Sequence, residues 1–187
     1  MNQIIVAITG ASGIGYGINL IDTLLELEFH VHLIISEGAE TVARFEEERD
    51  FLTFKNNNSI TIYDEKDLSA SIASGSFVTL TKGMIICPCS MKTLGLIANG
   101  VDINLVSRSA SVCLKEGKKL VIVPRETPLT LIMIENMKSA CLAGVTVLPA
   151  MPGFYHKPKT IEQLKDFLSG KILDQFSISH DLFERWS

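Results

Sequence analysis

Short apolar runs alternate along the chain with longer stretches in which apolar residues recur at helical spacing. The runs are continuous and rich in β-branched residues, which is typical of strands covered on both faces. They occupy residues 4–8, 31–35, 84–87, 120–123 and 145–148. The stretches between them predict helices over residues 18–28, 38–48, 91–98, 104–116 and 129–143. Thr160 to Gln163 has the pattern of a capping box and predicts the start of a last helix.

This alternation predicts right-handed βαβ crossovers and a doubly wound, mainly parallel sheet, so the fold class is α/β. A chain of 187 residues suits a single domain over residues 1–187. Residues 51–80 break the pattern, because they are polar and contain three consecutive asparagines and a stretch rich in serine, alanine and glycine. We interpret them as a variable excursion from this domain rather than as a second domain.

The composition argues against several classes of protein. Hydrophobic residues make up 47% and charged residues 20%, which argues against a globally disordered chain, and the net charge of −4 argues against a nucleic-acid partner. No apolar segment reaches the roughly 18 residues of a membrane span, and the run at 4–8 is too short for a signal peptide. The four cysteines lack paired metal-binding spacing, so we expect no metal site and a cytoplasmic protein.

The loops that follow the predicted strands share glycine, proline and small hydroxyl residues. In doubly wound sheets, ligands bind beyond the carboxyl ends of the strands, where these loops meet. Their composition predicts a site for a phosphorylated flavin or nucleotide at this edge. The loops comprise residues 9–15, Ser36, and residues 88–93, 124–128 and 149–156.

Three of these loops carry the candidate chemistry. Glycines in the first allow the backbone to approach a phosphate, and the following helix offers free N–H groups, although any tight turn between a strand and a helix needs glycine. Residues 90–93 offer hydroxyls and Lys92 at another helix start, or form an ordinary N-cap. Arg125 and Glu126 set a cation suited to phosphate beside a carboxylate, or form a structural ion pair at a rigid turn.

Two further features are less specific. Tyr155 and His156 either cap a ligand or lie on the surface. The acidic run from Glu46 to Glu48 indicates a solvated helix face.

Several segments together form a specific pattern. They are Gly10-Ala-Ser-Gly13 with Tyr16-Gly17, Pro88-Cys-Ser-Met-Lys-Thr93, Arg108 to Glu116, Pro124-Arg-Glu-Thr-Pro-Leu129, Glu135-Asn-Met137 and Pro152-Gly-Phe-Tyr-His156. With these segments the chain resembles the UbiX-like flavin prenyltransferases, formerly described as aromatic-acid or polyprenyl-hydroxybenzoate decarboxylases. The resemblance runs over almost the whole length and is weakest at residues 51–80.

The resemblance implies a Rossmann-like flavoprotein fold and an enzyme that uses FMN and no metal. Such an enzyme attaches a dimethylallyl group from dimethylallyl phosphate to N5 and C6 of reduced FMN and closes a fourth ring. The prenylated flavin then serves a partner decarboxylase of the UbiD type. The resemblance also implies a homododecamer with the flavin near subunit interfaces.

The resemblance further implies roles for individual residues. Glu126 looks like a proton-transfer residue, Glu46 and Ser12 are further catalytic candidates, and Trp186 is expected over the site. The expected FMN contacts are Gly10, Ala11, Ser12, Ser36, Ser90, Met91, Lys92, Thr93 and Arg125, and the expected contacts of the prenyl phosphate are Arg108, Lys115, Tyr155 and Lys171.

Two positions depart from the family pattern: Ile14 stands where alanine is frequent, and Ser111 where an acid is common. A related flavin-dependent decarboxylase of cysteinyl substrates is an alternative, but residues 88–93 and 135–137 match its motifs poorly. A non-catalytic flavin carrier or decarboxylase subunit is a second alternative, which the charged cluster disfavours. A short-chain dehydrogenase is a third, but Pro158 disfavours the helix that its Tyr-x-x-x-Lys pair needs.

Overall fold

The centre of the fold is a six-stranded parallel sheet in the order β3-β2-β1-β4-β5-β6. The computed structural model describes residues 2–46 and 51–186 of the chain. This strand order is that of a doubly wound sheet, and it confirms the predicted fold class. The strands are β1 (Gln3–Ile8), β2 (His30–Ile35), β3 (Ile60–Asp64), β4 (Gly83–Cys89), β5 (Lys119–Pro124) and β6 (Thr146–Val147).

Each helix that the helical spacing predicted is present, with its ends shifted by a few residues, and the structure adds short helical segments within residues 51–80. The helix predicted over residues 38–48 corresponds to α2, and residues 47 and 48 lie outside the described part of the chain. Within the described ranges, no helix is long and apolar enough to cross a membrane. The helices are α1 (Ile14–Glu26), α2 (Glu37–Glu46), α3 (Gly75–Val78), α4 (Met91–Ala98), α5 (Leu105–Lys115), α6 (Leu131–Leu142) and α7 (Ile161–Gln175), with short 3-10 helices at Phe51–Asn56 and Ser71–Ala73.

Each face of the sheet has its own apolar core. On one face, α1, α2 and α7 pack against Ile4, Val6 and Ile8 of β1. On the other, α3 to α6 pack against the alternate residues Ile5 and Ala7. Because successive side chains of a strand point to opposite faces, covering both faces buries the whole strand. This explains why the inner strands are continuous apolar runs in the sequence.

The sheet has one strand more than the sequence pattern predicted. β3 lies within residues 51–80 and pairs in parallel with β2, from Ile60 beside Val31 to Asp64 beside Ile35. As an edge strand it is only partly buried, so it mixes apolar with polar residues and lacks the continuous apolar run. Residues 51–80 are therefore an excursion only in part, because they also complete one edge of the sheet.

Candidate functional site

The strand order reverses between β1 and β4, and Thr9 joins the loops that follow these two strands. Its Oγ1 donates to the carbonyl of Pro88 at 2.9 Å and accepts from the amide of Ser90 at 2.8 Å. Thr9 is buried, so this link is protected from solvent. A crevice at such a reversal point is where doubly wound folds bind their ligands. The loops after β1 and β4 therefore meet at one place.

The loop after β1 approaches the backbone of α2 so closely that a side chain does not fit. A Cβ on Gly10 would lie 2.8 Å from the carbonyl carbon of Gly38. Gly13 has a φ of +96°, and a Cβ there would also meet the ring of Tyr16 at 2.9 Å. The loop therefore presents backbone rather than side chains, as close contact with a phosphate requires.

A side chain of the protein already binds the amides at the start of α1. Glu46 Oε2 accepts from the amide of Gly13 at 2.7 Å and from that of Ile14 at 3.1 Å. Partial burial acts to raise the pKa of Glu46, but hydrogen bonds from Ser12, Gly13 and Ile14, with Arg125 nearby, outweigh it and hold the pKa below its usual value. Glu46 is thus an ionised cap of α1.

This contact corrects two expectations. The N–H groups of Gly13 and Ile14 are not free for a phosphate, because the carboxylate of α2 reaches them first. The interpretation of the acidic run as a solvated helix face is incomplete for Glu46, which is exposed but also binds the start of α1, and Glu47 and Glu48 lie outside the described residues.

Arg125 and Glu126 follow β5 directly and make different contacts. Arg125 Nε donates to the carbonyl of Ser12 at 2.9 Å, which ties the loop after β5 to the loop after β1. Glu126 Oε1 accepts from the amide of Thr127 at 3.0 Å. The charge of Arg125 helps to lower the pKa of the Glu46 carboxylate. The described contacts therefore do not show a structural ion pair between Arg125 and Glu126.

Two serines begin helices at the same edge of the sheet. Ser36 Oγ accepts from the amide of Ala39 at 3.1 Å at the start of α2, and Ser90 Oγ accepts from the amide of Thr93 at 3.2 Å at the start of α4. The N-cap interpretation of Ser90 is thus confirmed. The first turn of a helix also carries amides without an intrahelical partner, here those of Met91 and Lys92. This helix end therefore suits an anion even with Ser90 as its cap.

A cavity of about 750 Å³ lies beside the loop after β1. It brings together Ser12, Glu46 and Arg125, three of the predicted site residues. Glu162 and Lys165 line it from α7. They are three residues apart near the start of the helix that the capping box predicted, and this spacing could have placed them on one helix face. The lining residues to which the sequence analysis gave no site role are Gly13, Gly15, Tyr16, Ala150, Ile161, Glu162 and Lys165.

A second group of predicted residues gathers farther along α7. The ring of Tyr155 lies 5.6 Å from that of Phe167 and 5.6 Å from that of Trp186, centroid to centroid. Lys171 Nζ lies 3.5 Å from Asp174 Oδ2. Lys171 follows Lys165 of the cavity wall by six residues, about 9 Å along the helix axis. Tyr155, Lys171 and Trp186 therefore lie on the α7 side of the sheet.

The two remaining predicted residues lie on the opposite face of the sheet, on α5. Arg108 Nε donates to the carbonyl of Ala73 at 3.3 Å, and its Nη1 lies 3.3 Å from Asp102 Oδ2. Lys115 pairs with Glu116 at the end of α5, just before β5 begins, so it lies at the amino edge of the sheet. Within one chain, the sheet separates these two cations from the α7 group.

The grouped loops fit a flavin nucleotide and offer two kinds of chemical function. Backbone at Gly10, hydroxyls and Arg125 suit a phosphate, and the carboxylates Glu46 and Glu126 can hold or move a proton. The neighbouring thiols are not nucleophiles, because burial raises the pKa of Cys89 to about 12 and that of Cys87 further.

Comparisons with known proteins identify the family of this chain. The model of the protein family described as Flavoprotein matches residues 1–179. The flavin prenyltransferase UbiX of Halalkalibacterium halodurans is 48% identical over 97% of this chain and 91% of its own. Two solved structures are similar. AnUbiX in complex with FMN and dimethylallyl pyrophosphate has a TM-score of 0.94 and 39% identity over 100% and 97% of the chains. A dodecameric FMN-dependent UbiX-like decarboxylase from Escherichia coli has a TM-score of 0.93 and 40% identity over 99% of each.

The chain is thus a flavoprotein by family, and within that class it belongs to the flavin prenyltransferases. The alternative of a cysteinyl decarboxylase is not supported. The peptidyl-cysteine decarboxylase EpiD shares the fold at a TM-score of 0.60 but only 22% identity, over 82% of this chain and 83% of its own. The roles of the individual site residues stay predictions.

Proposed function

We propose that this chain transfers the dimethylallyl group of dimethylallyl phosphate to N5 and C6 of reduced FMN. The product would be prenylated FMN, the cofactor that we expect a UbiD-type decarboxylase to receive. The observation that carries this proposal is the cavity shared by Ser12, Glu46 and Arg125 at the reversal point of the sheet, in a chain 48% identical to a flavin prenyltransferase.

In this proposal FMN is held by the loops joined through Thr9. Arg125 uses Nε to bind the carbonyl of Ser12, so its two Nη groups remain available for an anion. The amides of the first turn of α4 offer neutral donors to the same ligand. The proposed contacts are Gly10, Ala11, Ser12, Ser36, Ser90, Met91, Lys92, Thr93 and Arg125.

The reduced flavin supplies the nucleophilic atoms, which is why the protein needs no nucleophile of its own. The protein stabilises the charge that develops on the departing phosphate, a task for preorganised arginine and lysine side chains, and it keeps water away from the allylic cation. We assign the proton transfer to Glu126 first. Glu46, with its lowered pKa and its two amide partners, is better suited to hold the loop and Ser12 in place.

The proposed contacts of the donor phosphate require more than one copy of the chain. Tyr155 and Lys171 lie on the α7 side of the sheet, whereas Arg108 and Lys115 lie on the α5 side. If all four contact one phosphate, they come from neighbouring subunits. We therefore propose a homododecamer with shared sites, as the dodecameric relative suggests. We also propose a cytoplasmic location, where the four cysteines stay as free thiols.

Mass spectrometry of the flavin tests the reaction. Anaerobic incubation of the protein with reduced FMN and dimethylallyl phosphate should yield a flavin heavier by one C5H8 unit, and omission of the donor should leave FMN unchanged. A parallel reaction with dimethylallyl pyrophosphate tests which donor is preferred. Protein that binds FMN and dimethylallyl phosphate yet returns unmodified FMN would contradict the proposal and favour a flavin carrier.

A further inference from the structure

The end of the described chain folds back along α7, and we call residues 178–186 the strap. The strap packs directly on the helix backbone at Gly170. A Cβ there would lie 2.5 Å from the ring of Phe183 and 2.6 Å from that of His180. The ring of Phe183 also lies 4.8 Å from that of Phe167 on α7, centroid to centroid. Gly170, which has no side chain, therefore allows the strap to pack this closely against α7.

One carboxylate, that of Asp174, binds the polar end of the strap. Arg185 donates to both of its oxygens, from Nη2 at 2.8 Å and from Nη1 at 3.3 Å. The Nδ1 atom of His180 accepts from the amide of Leu182 at 3.3 Å, so its Nε2 carries the proton and donates to Asp174 at 3.2 Å. The hydrogen bonds from Arg185 hold the pKa of Asp174 below its usual value, against a smaller effect of burial.

The same contacts connect the strap to two predicted ligands of the donor phosphate. Asp174 Oδ2, which accepts from Arg185, also lies 3.5 Å from Lys171 Nζ. The residue after Arg185 is Trp186, whose ring lies edge-on to that of Tyr155 at 5.6 Å. The docked strap therefore restrains Lys171 through a shared carboxylate and Tyr155 through a ring contact.

We propose that Asp174 and Arg185 are positioning residues of the donor-phosphate subsite, acting through Lys171 and through Trp186 on Tyr155. Neither residue is assigned a contact with the reacting atoms. The inference rests on the proposed function for the identity of the ligand, whereas the docking of the strap itself does not depend on it.

The exposure of Arg185 and Lys171 indicates that their contacts with Asp174 fix side-chain geometry rather than stabilise the fold. Arg185 and Lys171 are 57% and 42% exposed, and exposed ion pairs contribute little to folding. A lysine side chain has many rotamers of similar energy, so a fixed carboxylate within 3.5 Å restricts where its ammonium group lies. Loss of such positioning weakens ligand binding more than it weakens the fold.

Two substitutions release the strap in unrelated ways. Arg185→Met removes the two hydrogen bonds to Asp174. Gly170→Ala leaves every charge in place and pushes the rings of His180 and Phe183 away, while alanine favours the helix itself. Lys82→Met is the matched control, because it removes an exposed cation at the turn before β4, at the amino edge of the sheet.

Trp186 is the only tryptophan of the chain, so its fluorescence anisotropy reports the strap directly. In flavin-free protein we expect lower anisotropy for Arg185→Met and Gly170→Ala than for wild type and Lys82→Met. Both strap variants should raise the Kd and the KM for dimethylallyl phosphate about tenfold or more. Their affinity for FMN should stay within about twofold of wild type, because the FMN loops lie elsewhere. Arg185→Lys, which keeps the charge but not the bidentate geometry, should fall between wild type and Arg185→Met.

Two results would overturn the inference. One is a strap variant with mobile Trp186 and unchanged affinity for dimethylallyl phosphate. The other is unchanged anisotropy in both variants, which would show that these contacts do not hold the strap. Wild-type protein that binds dimethylallyl phosphate but does not prenylate FMN would refute the proposed function and leave this inference standing, since its readouts are binding and anisotropy.

Discussion

At the scale of single residues, Arg125 and Glu126 are neighbours with separable tasks. Arg125 is tied to the carbonyl of Ser12 and keeps its Nη groups for an anion, so Arg125→Ala should weaken FMN binding by about 1.5–3 kcal/mol. Glu126 binds a neighbouring backbone amide, and Glu126→Gln preserves its shape. This variant should keep FMN bound but slow turnover by roughly 10²–10⁴-fold, the usual contribution of a general acid or base. Flavin titration and single-turnover absorbance measure the two effects separately.

The opposite pattern would assign the roles differently. If Glu126→Gln turns over like wild type, its carboxylate moves no proton, and Glu46 becomes the remaining candidate. If Arg125→Ala binds FMN normally but lacks activity, the guanidinium acts on the leaving phosphate instead. Either result is informative because both variants leave the fold-forming strands untouched.

His32 is a residue whose effect on stability depends on pH. It is buried, its Nδ1 lies 3.0 Å from Tyr63 Oη and its Nε2 lies 2.9 Å from Gln3 Oε1, and burial followed by the charge of His30 lowers its pKa to about 4. The unfolded chain, with a pKa near 6.5, binds a proton that the folded chain rejects. The contribution of His32 is therefore complete above about pH 6.5 and is lost as the pH falls toward 4.

His32→Gln removes this titration while an amide keeps hydrogen-bonding capacity. Denaturant unfolding at one protein concentration should show wild type losing about 2 kcal/mol more than the variant between pH 7 and pH 4.5. If wild type and His32→Gln lose equal free energy of unfolding, His32 titrates similarly in the folded and unfolded states. The sequence around His32 gives no signal for this behaviour, because its hydrogen-bond partners come from β1 and from the edge strand β3.

Sequence motifs placed the site residues in the chain, but not on a face of the fold. Gly10 and Arg125 were predictable because glycine at a strand-to-helix turn and arginine at a strand end each have a local reason. The contact of Glu46 with α1 was not, because its partners are 32 and 33 residues away. Lys115 shows the limit of the approach, since its motif does not reveal that it lies at the far edge of the sheet.

At the scale of elements, the contact between the loop after β1 and α2 is the most sensitive to substitution. A Cβ on Gly10 would press on the backbone of Gly38, which has no flexible side chain that could move aside. Gly10→Ala should therefore displace the loop or the start of α2, cost about 1–3 kcal/mol of stability and lower the affinity for FMN. Gly95→Ala is the control, because its Cβ would meet Asn136 at an ordinary 3.5 Å. Equal melting temperatures and FMN affinities for both variants would refute this account.

The predictability of each element follows from its surroundings. Inner strands are covered on both faces and appear as apolar runs, and the N-caps Ser90, Asn104, Thr130 and Thr160 mark helix starts by local hydrogen bonds. β3 has neither signal, because half of its surroundings are solvent and its place is set by pairing with β2. The strap is similar, because its docking depends on Gly170 and Asp174 of α7 rather than on its own residues.

At the scale of the whole molecule, α6 shows that one chain leaves a large apolar surface uncovered. Leu131, Ile132 and Leu142 are 72%, 75% and 81% exposed, and within the described part of α6 only Ala140 is buried. A surface of this kind on a folded chain indicates an interface. If Arg108, Lys115, Tyr155 and Lys171 all contact the donor phosphate as proposed, neighbouring copies are also needed, because the four residues lie on opposite faces of the sheet. We therefore expect an assembly in which α6 is buried and the proposed donor site is completed by neighbouring copies.

The assembly prediction can be tested by placing charge on this surface. Ile132→Lys should replace the proposed dodecamer with smaller species in light scattering, because an ammonium group buried in an apolar interface lacks a partner. Leu68→Lys is the control, since Leu68 is half exposed after the edge strand β3, at the other end of the sheet from β6 and α6. If the donor site is shared, the dissociated Ile132→Lys protein should lose affinity for dimethylallyl phosphate more than for FMN, whose proposed contacts all lie within one chain. A dissociated variant that binds dimethylallyl phosphate like wild type would show that one subunit suffices, and would remove Arg108 and Lys115 from the site.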